Sequence, residues 1–247
     1  MARLLRSHYA LPLPFQPRMT LATPVSLSLV RETPVSRSGL LVSPDRPFGA
    51  YELHEAFGAE RARTEQFIAE RYKRDFDARI EAFMPRLFSL RAAAAGEQDA
   101  GIEGALGLRN AQGRLFVEQY LDVPIEDAIR AATGQRIERA SIVEVGHFAG
   151  IRPGTMRAMI LLLADRLHRE GAAWVAFAGT RALCNAFLRM HLQPIALCPA
   201  ACDRLPEASR GAWGTYYRND PWVYVGPVRD GVVSIDTIGD MSPGQSA

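Results

Sequence analysis

The stretch IVEVGHFAGIRPGTMRAMILLLADRLHREGAAWVAFAG, residues 142–179, decides the fold. Ile142, Val143 and Val145 read as a strand, and Gly146 offers a place for a bulge or a close backbone approach. The middle part, MRAMILLLADRLHREG (156–171), carries apolar residues at helical spacing and stops at Gly171. AWVAFAG (173–179) is a short apolar run of the kind buried inside a sheet. Strand, helix, strand is a crossover unit, and a crossover joins parallel strands.

Toward the carboxyl end, TRALCNAFLRMHL (180–192) predicts a helix and PIALCPA (194–200) a strand. A second crossover therefore extends the parallel section. The aromatic, β-prone run from WGTYY to VVSID (213–236) is expected to add or cover an edge strand. Toward the amino end, IEGALGLRN (102–110) and RLFVEQYLD (114–122) flank a turn containing Asn110 and Gly113, which predicts a β-hairpin. Residues 124–132 predict a short helix. From Ala59 to about Leu90, apolar residues at helical spacing are interrupted by Pro85, predicting two amphipathic helices that meet near Met84. Residues 1–47, rich in Pro, Ser and Arg, predict a flexible arm. One main domain then spans 48–228, and 229–247 form a tail.

A chain of 247 residues that is 48% hydrophobic supports one large core. The net charge is only +2, so no strong field singles out nucleic acid as a partner. Among the 29 basic residues only Lys73 is lysine, a bias that a GC-rich genome explains as well as phosphate recognition does. Three cysteines, Cys184, Cys198 and Cys202, do not make a disulfide framework, which fits a reducing compartment. Cys198 and Cys202 have no companion ligand cluster, so no metal is expected. No apolar run reaches the ~18 residues a spanning helix needs, and Pro12, Pro14, Pro17 and Pro24 interrupt any signal-peptide core. A cytoplasmic protein is the expectation.

FMPRLFSL (83–90), ALGLR with RLFVEQYLDVPIE (105–126), IVEVGHFAG (142–150), TRALCNAFLRMHL (180–192) and RLPEA with WGTYY (204–217) follow one another in a fixed order. Together they resemble the thermostable hemolysin family over about residues 50–226. Where that family more usually carries asparagine, this chain has His147. The element order is also similar to GNAT acyltransferases, and among them to the acyl-homoserine-lactone synthases. The resemblance implies an α/β fold: a GNAT-like mixed twisted sheet flanked by helices. It further implies that the Glu144 strand splays from AWVAFAG, leaving a gap that admits an acyl thioester. The donor would be acyl-CoA or an acyl carrier protein, with no tightly bound cofactor.

Glu144 lies between Val143 and Val145 and projects to the opposite face, where desolvation raises a carboxyl toward general-base use. The competing reading is an ion pair with Arg109 or Arg152 that fastens strand to loop. Gly146 would let the donor approach, and a backbone N–H at a bulge there would stabilise an oxyanion. Arg152, Gly154 and Thr155 in GIRPGT (150–155) offer a helix amino terminus suited to an anion, though their spacing departs from the GNAT signature; an ordinary capped helix is the alternative. If FVEQYLD (116–122) is a strand, Phe116, Glu118 and Tyr120 share a face, and the latter two would bind an amine. Arg109 and His147 are further candidate substrate contacts. Asn185 resembles the asparagine that many GNAT proteins place near the donor thiol. Tyr216 and Tyr217 would line the acyl pocket, with Tyr217 the proton source.

Two functions compete. One is an N-acyltransferase moving a fatty acyl group from a thioester to the amine of an amino acid or similar small metabolite, giving an amphiphile; lysis would then come from a surfactant-like product. The other is a secreted membrane-lytic hemolysin, and a non-catalytic binding module on the same fold is a third reading. A homodimer is left open.

Overall fold

The computed structural model describes residues 51–93 and 101–233. The arm expected over 1–47 lies outside these residues, as does the tail beyond 233.

At the centre are the three elements on which the sequence reading turned: β4 (Ile142–Gly150), α3 (Pro153–Arg169) and β5 (Trp174–Gly179). β4 and β5 pair in parallel, as a crossover requires. Ala158, Met159, Leu163 and Leu167 on α3 are buried in one cluster with Val143 and Val145 of β4 and Phe177 of β5. Each leucine-sized side chain buried there contributes roughly 1.5–3 kcal/mol. The apolar stripe of α3 is thus spent on the sheet.

Around this unit lie β1 (Tyr51–Glu55), α1 (Gly58–Phe76), β2 (Arg86–Ala92), β3 (Gly104–Asn110), α2 (Ile125–Thr133), α4 (Arg181–Leu188), β6 (Ile195–Pro199), α5 (Glu207–Arg210) and β7 (Trp222–Pro227). The described strands form one mixed sheet of seven in the order β1-β2-β3-β4-β5-β7-β6. The two sides of β2 belong to different cores, Leu87 packing with Ile68 and Tyr72 of α1 and Phe88 with the α3 cluster.

Four expectations are corrected. Residues 77–85 contain no helix, and the second amphipathic helix is replaced by β2, because Leu87, Phe88 and Leu90 are buried from both sides of a sheet. β1 was not foreseen. The hairpin partner of β3 is β2, whereas FVEQYLD forms a 3-10 turn at Val117–Gln119, so Glu118 and Tyr120 do not share a strand face. Glu118 instead bends back on its own segment, accepting from Leu115 N at 2.8 Å and Ile125 N at 3.0 Å. Finally, β7 does not cover an edge. It enters between β5 and β6 and pairs antiparallel with both, so the second crossover does not extend the parallel ladder.

Candidate functional site

The β4–β5 ladder is short. Its register holds for Ile142, Val143 and Glu144 against Trp174, Val175 and Ala176, and stops there. β4 runs on to Gly150 along β3, and β5 runs on to Gly179 along β7. Beyond Glu144 the two strands therefore part, exposing unpaired backbone edges to each other. Within the parted length Ala105 faces Ala149 but Gly107 faces Gly146, so His147 and Phe148 together oppose Leu106. This is a β-bulge, and it puts His147 at φ 52°, a left-handed conformation that few non-glycine residues adopt and that histidine adopts more often than most.

The gap opens into two cavities that share Tyr72, Gly146, His147, Ala178 and Tyr216. The larger, of about 620 Å³, is lined by Arg109, Glu144, Tyr120, Tyr217 and Trp213 besides the shared residues. The second, of about 400 Å³, runs past Gly150 and Arg152 to Phe177 and Leu183. Of the expected site residues, the structure brings Arg109, Tyr120, Glu144, Gly146, His147, Tyr216 and Tyr217 into the first cavity and Arg152 into the second. Gly154 and Asn185 are exposed and line neither. Thr155 is buried in its own helix cap, where Oγ1 donates to the Arg152 carbonyl at 2.6 Å. Glu118 stands behind the first cavity rather than in it.

Glu144 is 1% exposed. Its Oε1 accepts from Val117 N at 2.7 Å, and Oε2 accepts from Phe116 N at 3.0 Å and from Arg109 Nη1 at 3.5 Å. Burial pushes its carboxyl up, and the two backbone donors and Arg109 only partly oppose this. Glu144 thus pairs with Arg109 and fastens the Phe116–Val117 backbone to β4, and its carboxyl, shifted up by burial, lines the larger cavity. Tyr120 and Tyr217 share a hydroxyl–hydroxyl hydrogen bond. Burial pushes both phenols up, so they remain protonated. Burial also pushes His147 down to about 4, while its hydrogen bond to the Ala82 backbone opposes the shift; the ring is neutral. Gly146 answers to packing: a Cβ there would lie 2.6 Å from Met84 Cε.

Thr215 N donates to the Phe76 carbonyl at 2.7 Å and Arg79 N to that of Ala212 at 2.6 Å, which ties the aromatic 211–219 segment to the end of α1. Between them Gly214 has φ 52°, and a Cβ would fall 2.3 Å from the Phe76 oxygen and 2.6 Å from that of Asp77. These are backbone atoms and cannot yield. Gly214→Ala is expected to cost about 1–3 kcal/mol, read as a lower denaturant midpoint; an unchanged midpoint would contradict the packing described.

The sequence profile of the thermostable hemolysin family matches residues 54–232. The chain belongs to the thermostable hemolysin family. A search of curated proteins finds no match. Among solved structures this family member is similar to FeeM, an N-acyl amino acid synthase from uncultured soil microbes, at 12% identity over 74% of this chain and 93% of that one, with a TM-score of 0.50. It is also similar to MesI, a CoA-dependent acyl-homoserine lactone synthase, at 14% identity over 78% and 97% of the two chains (TM-score 0.48). A GCN5-related N-acetyltransferase from Kribbella flavida is 16% identical over 72% and 98%, with a TM-score of 0.43. The likeness to FeeM is one of fold, and the mixed sheet flanked by helices is the α/β architecture expected.

Sequence reasoning missed residues that build the candidate site of this family member. Arg139 donates to both Glu118 oxygens, at 2.7 and 2.9 Å, to Glu126 at 2.6 Å, and to the carbonyls of Ala111 and Gly113 at 2.7 and 2.8 Å. Nothing in its local sequence distinguishes it from other arginines. Tyr72 carried a signal, its helical spacing from Ile68, but that signal speaks for core as readily as for cavity wall. Burial opposes ionisation of Glu118, yet Arg139 and the two backbone donors outweigh it and hold the carboxyl down at about 2. The folded-state value is below the unfolded one, so this stabilisation is present above the ordinary carboxylate range and is lost as pH falls toward 2. The melting temperature is expected to drop across that window, and the drop to be shallower in Glu118→Gln; equal slopes would remove Glu118 from the account.

Among the described residues no group of three or more His, Cys, Asp and Glu side chains could hold a metal ion. No described helix is long and apolar enough to cross a membrane.

Proposed function

We propose that the protein transfers a fatty acyl group from a thioester to the amine of an amino acid or similar small metabolite. The observation that carries the reading is the parting of β4 from β5 directly after a buried, cavity-lining Glu144. An extended thioester arm would lie in the gap and bond to the unpaired strand edges, with the acceptor in the larger cavity. The amine nitrogen attacks the thioester carbonyl while Glu144 takes its proton, directly or through water. A backbone N–H of the bulged stretch stabilises the oxyanion. As the C–S bond breaks, the thiolate takes a proton from Tyr217, whose hydrogen bond with Tyr120 holds the hydroxyl in place, and the proton taken up by Glu144 returns to the tyrosine through water, which restores both groups. The fold shared with an N-acyl amino acid synthase supports this reading without specifying donor or acceptor.

Cells expressing the protein are expected to accumulate an N-acylated amine absent from empty-vector controls, detected by lipid mass spectrometry. Absence of any new acyl amide would sink the proposal. In this reading lysis is due to the amphiphilic product, so purified protein is expected to leave liposomes intact when no acyl donor is added.

A further inference from the structure

Arg71 plays no part in the scheme above, yet its position is unusual. It is on α1, beside Tyr72, in the wall of the second cavity, with a side chain 13% exposed. Nη2 donates to Asp75 Oδ2 at 3.0 Å. Nε and Nη1 are shielded from solvent and have no hydrogen-bond partner. A guanidinium is always charged and carries five N–H donors in a planar fork; Nε and Nη1 lie on different edges of that fork, each edge shared with Nη2, so each edge keeps an unmatched donor. Asp75 does not balance the site alone, because its other oxygen accepts from Arg74 Nε at 3.1 Å. Arg152 and Arg189 line the same cavity, where Asp75 is the one acidic lining residue. Arg152 is already matched by Glu103 and Tyr51.

A buried cation with unmet donors is costly, and an anion that accepts from one of these nitrogens together with the second N–H of Nη2 removes much of that cost. We infer that Arg71 receives the phosphate of a phosphopantetheine arm and so selects the donor. The inference rests on the acyl-transfer reading. If Glu144 marks the acceptor side of the gap, the cavity that continues to Gly150 and Arg152 is the donor side, and Arg71 belongs to the latter. The phosphate is the anionic group common to coenzyme A and to the prosthetic arm of an acyl carrier protein.

Calorimetric titration of the full chain with 4′-phosphopantetheine and with pantetheine tests this. The wild type is expected to bind the phosphorylated form at least about tenfold more tightly. Arg71→Gln is expected to bring that ratio near one while leaving pantetheine affinity unchanged. Arg71→Lys, which keeps the charge but not the fork, is expected to lower the ratio at least about threefold, and it decides the matter if the glutamine variant melts below the assay temperature. A ratio near one in the wild type, or an undiminished ratio in the variants, would overturn the role of Arg71, and an acceptor carboxylate on Arg71 would give the second result. Wild-type protein that binds neither compound would remove the donor reading itself. Coenzyme A and a holo acyl carrier protein are titrated in parallel: affinity lost in the variants for one of them identifies the donor's carrier, and affinity lost for neither also overturns the assignment.

Discussion

Replacing Glu144 with glutamine is expected to cut acyl transfer by about a hundredfold or more, the usual share of a general base. Oε1 accepts only Val117 N, which leaves a lone pair for an incoming proton. An amide cannot take that proton. In the wild type the rate is expected to rise with pH through a carboxyl shifted above its ordinary range by burial, and in Glu144→Gln this rise is expected to vanish. The substitution also turns an NH₂ group toward the backbone donors of Phe116 or Val117, at a cost of about 1–3 kcal/mol. Turnover is therefore measured on protein shown to be folded at the assay temperature, by release of free thiol from an acyl thioester. A folded variant within threefold of the wild-type rate would take Glu144 out of the chemistry and leave it as a fastener.

Arg139→Met is expected to produce the largest loss of stability, about 3–5 kcal/mol. The methionine replaces the aliphatic stem but removes every N–H that the carboxylates of Glu118 and Glu126 and the carbonyls of Ala111 and Gly113 share. Glu118, with a side chain 9% exposed, would be left ionised against two backbone donors alone. The 111–126 segment carries Phe116, Val117 and Tyr120 into the larger cavity, so activity is expected to fall along with the melting temperature. Removing both charges together, in Arg139→Met with Glu118→Gln, is expected to be less damaging than the sum of the single changes. Strict additivity would show that the two residues do not act as a pair.

How much of this was legible beforehand depends on whether a residue's role is set by its near neighbours in sequence. The 142–179 unit was readable because alternation, helical spacing and the Gly171 stop are local signals, whereas the parting of its two strands was expected only from the resemblance to GNAT acyltransferases. The opposite fate of RLFVEQYLD shows the limit. Its apolar and polar residues do alternate, yet Glu118 finds better partners in Leu115 N, Ile125 N and the distant Arg139 than a strand face supplies. The break was placed at Pro85, but the helix already ends at Phe76, and the residues after Pro85, buried on two sides, mimic a helix in short apolar runs. Gly154, Thr155 and Asn185 were drawn toward the site by motif likeness and lie away from both cavities, whereas Arg71 had no motif at all and lines one.

The place of β7 bears on how the chain is made. A nascent polypeptide ending before Trp222 holds β6 without its neighbour in the sheet, since β7, which joins it to β5, is the last of the described strands to leave the ribosome. Closure of the core must wait until β7 has been made, and until then the edges of β5 and β6 stand open to stray pairing. Truncations that remove residues from 222 onward are accordingly expected to leave an aggregating fragment and not a smaller folded domain.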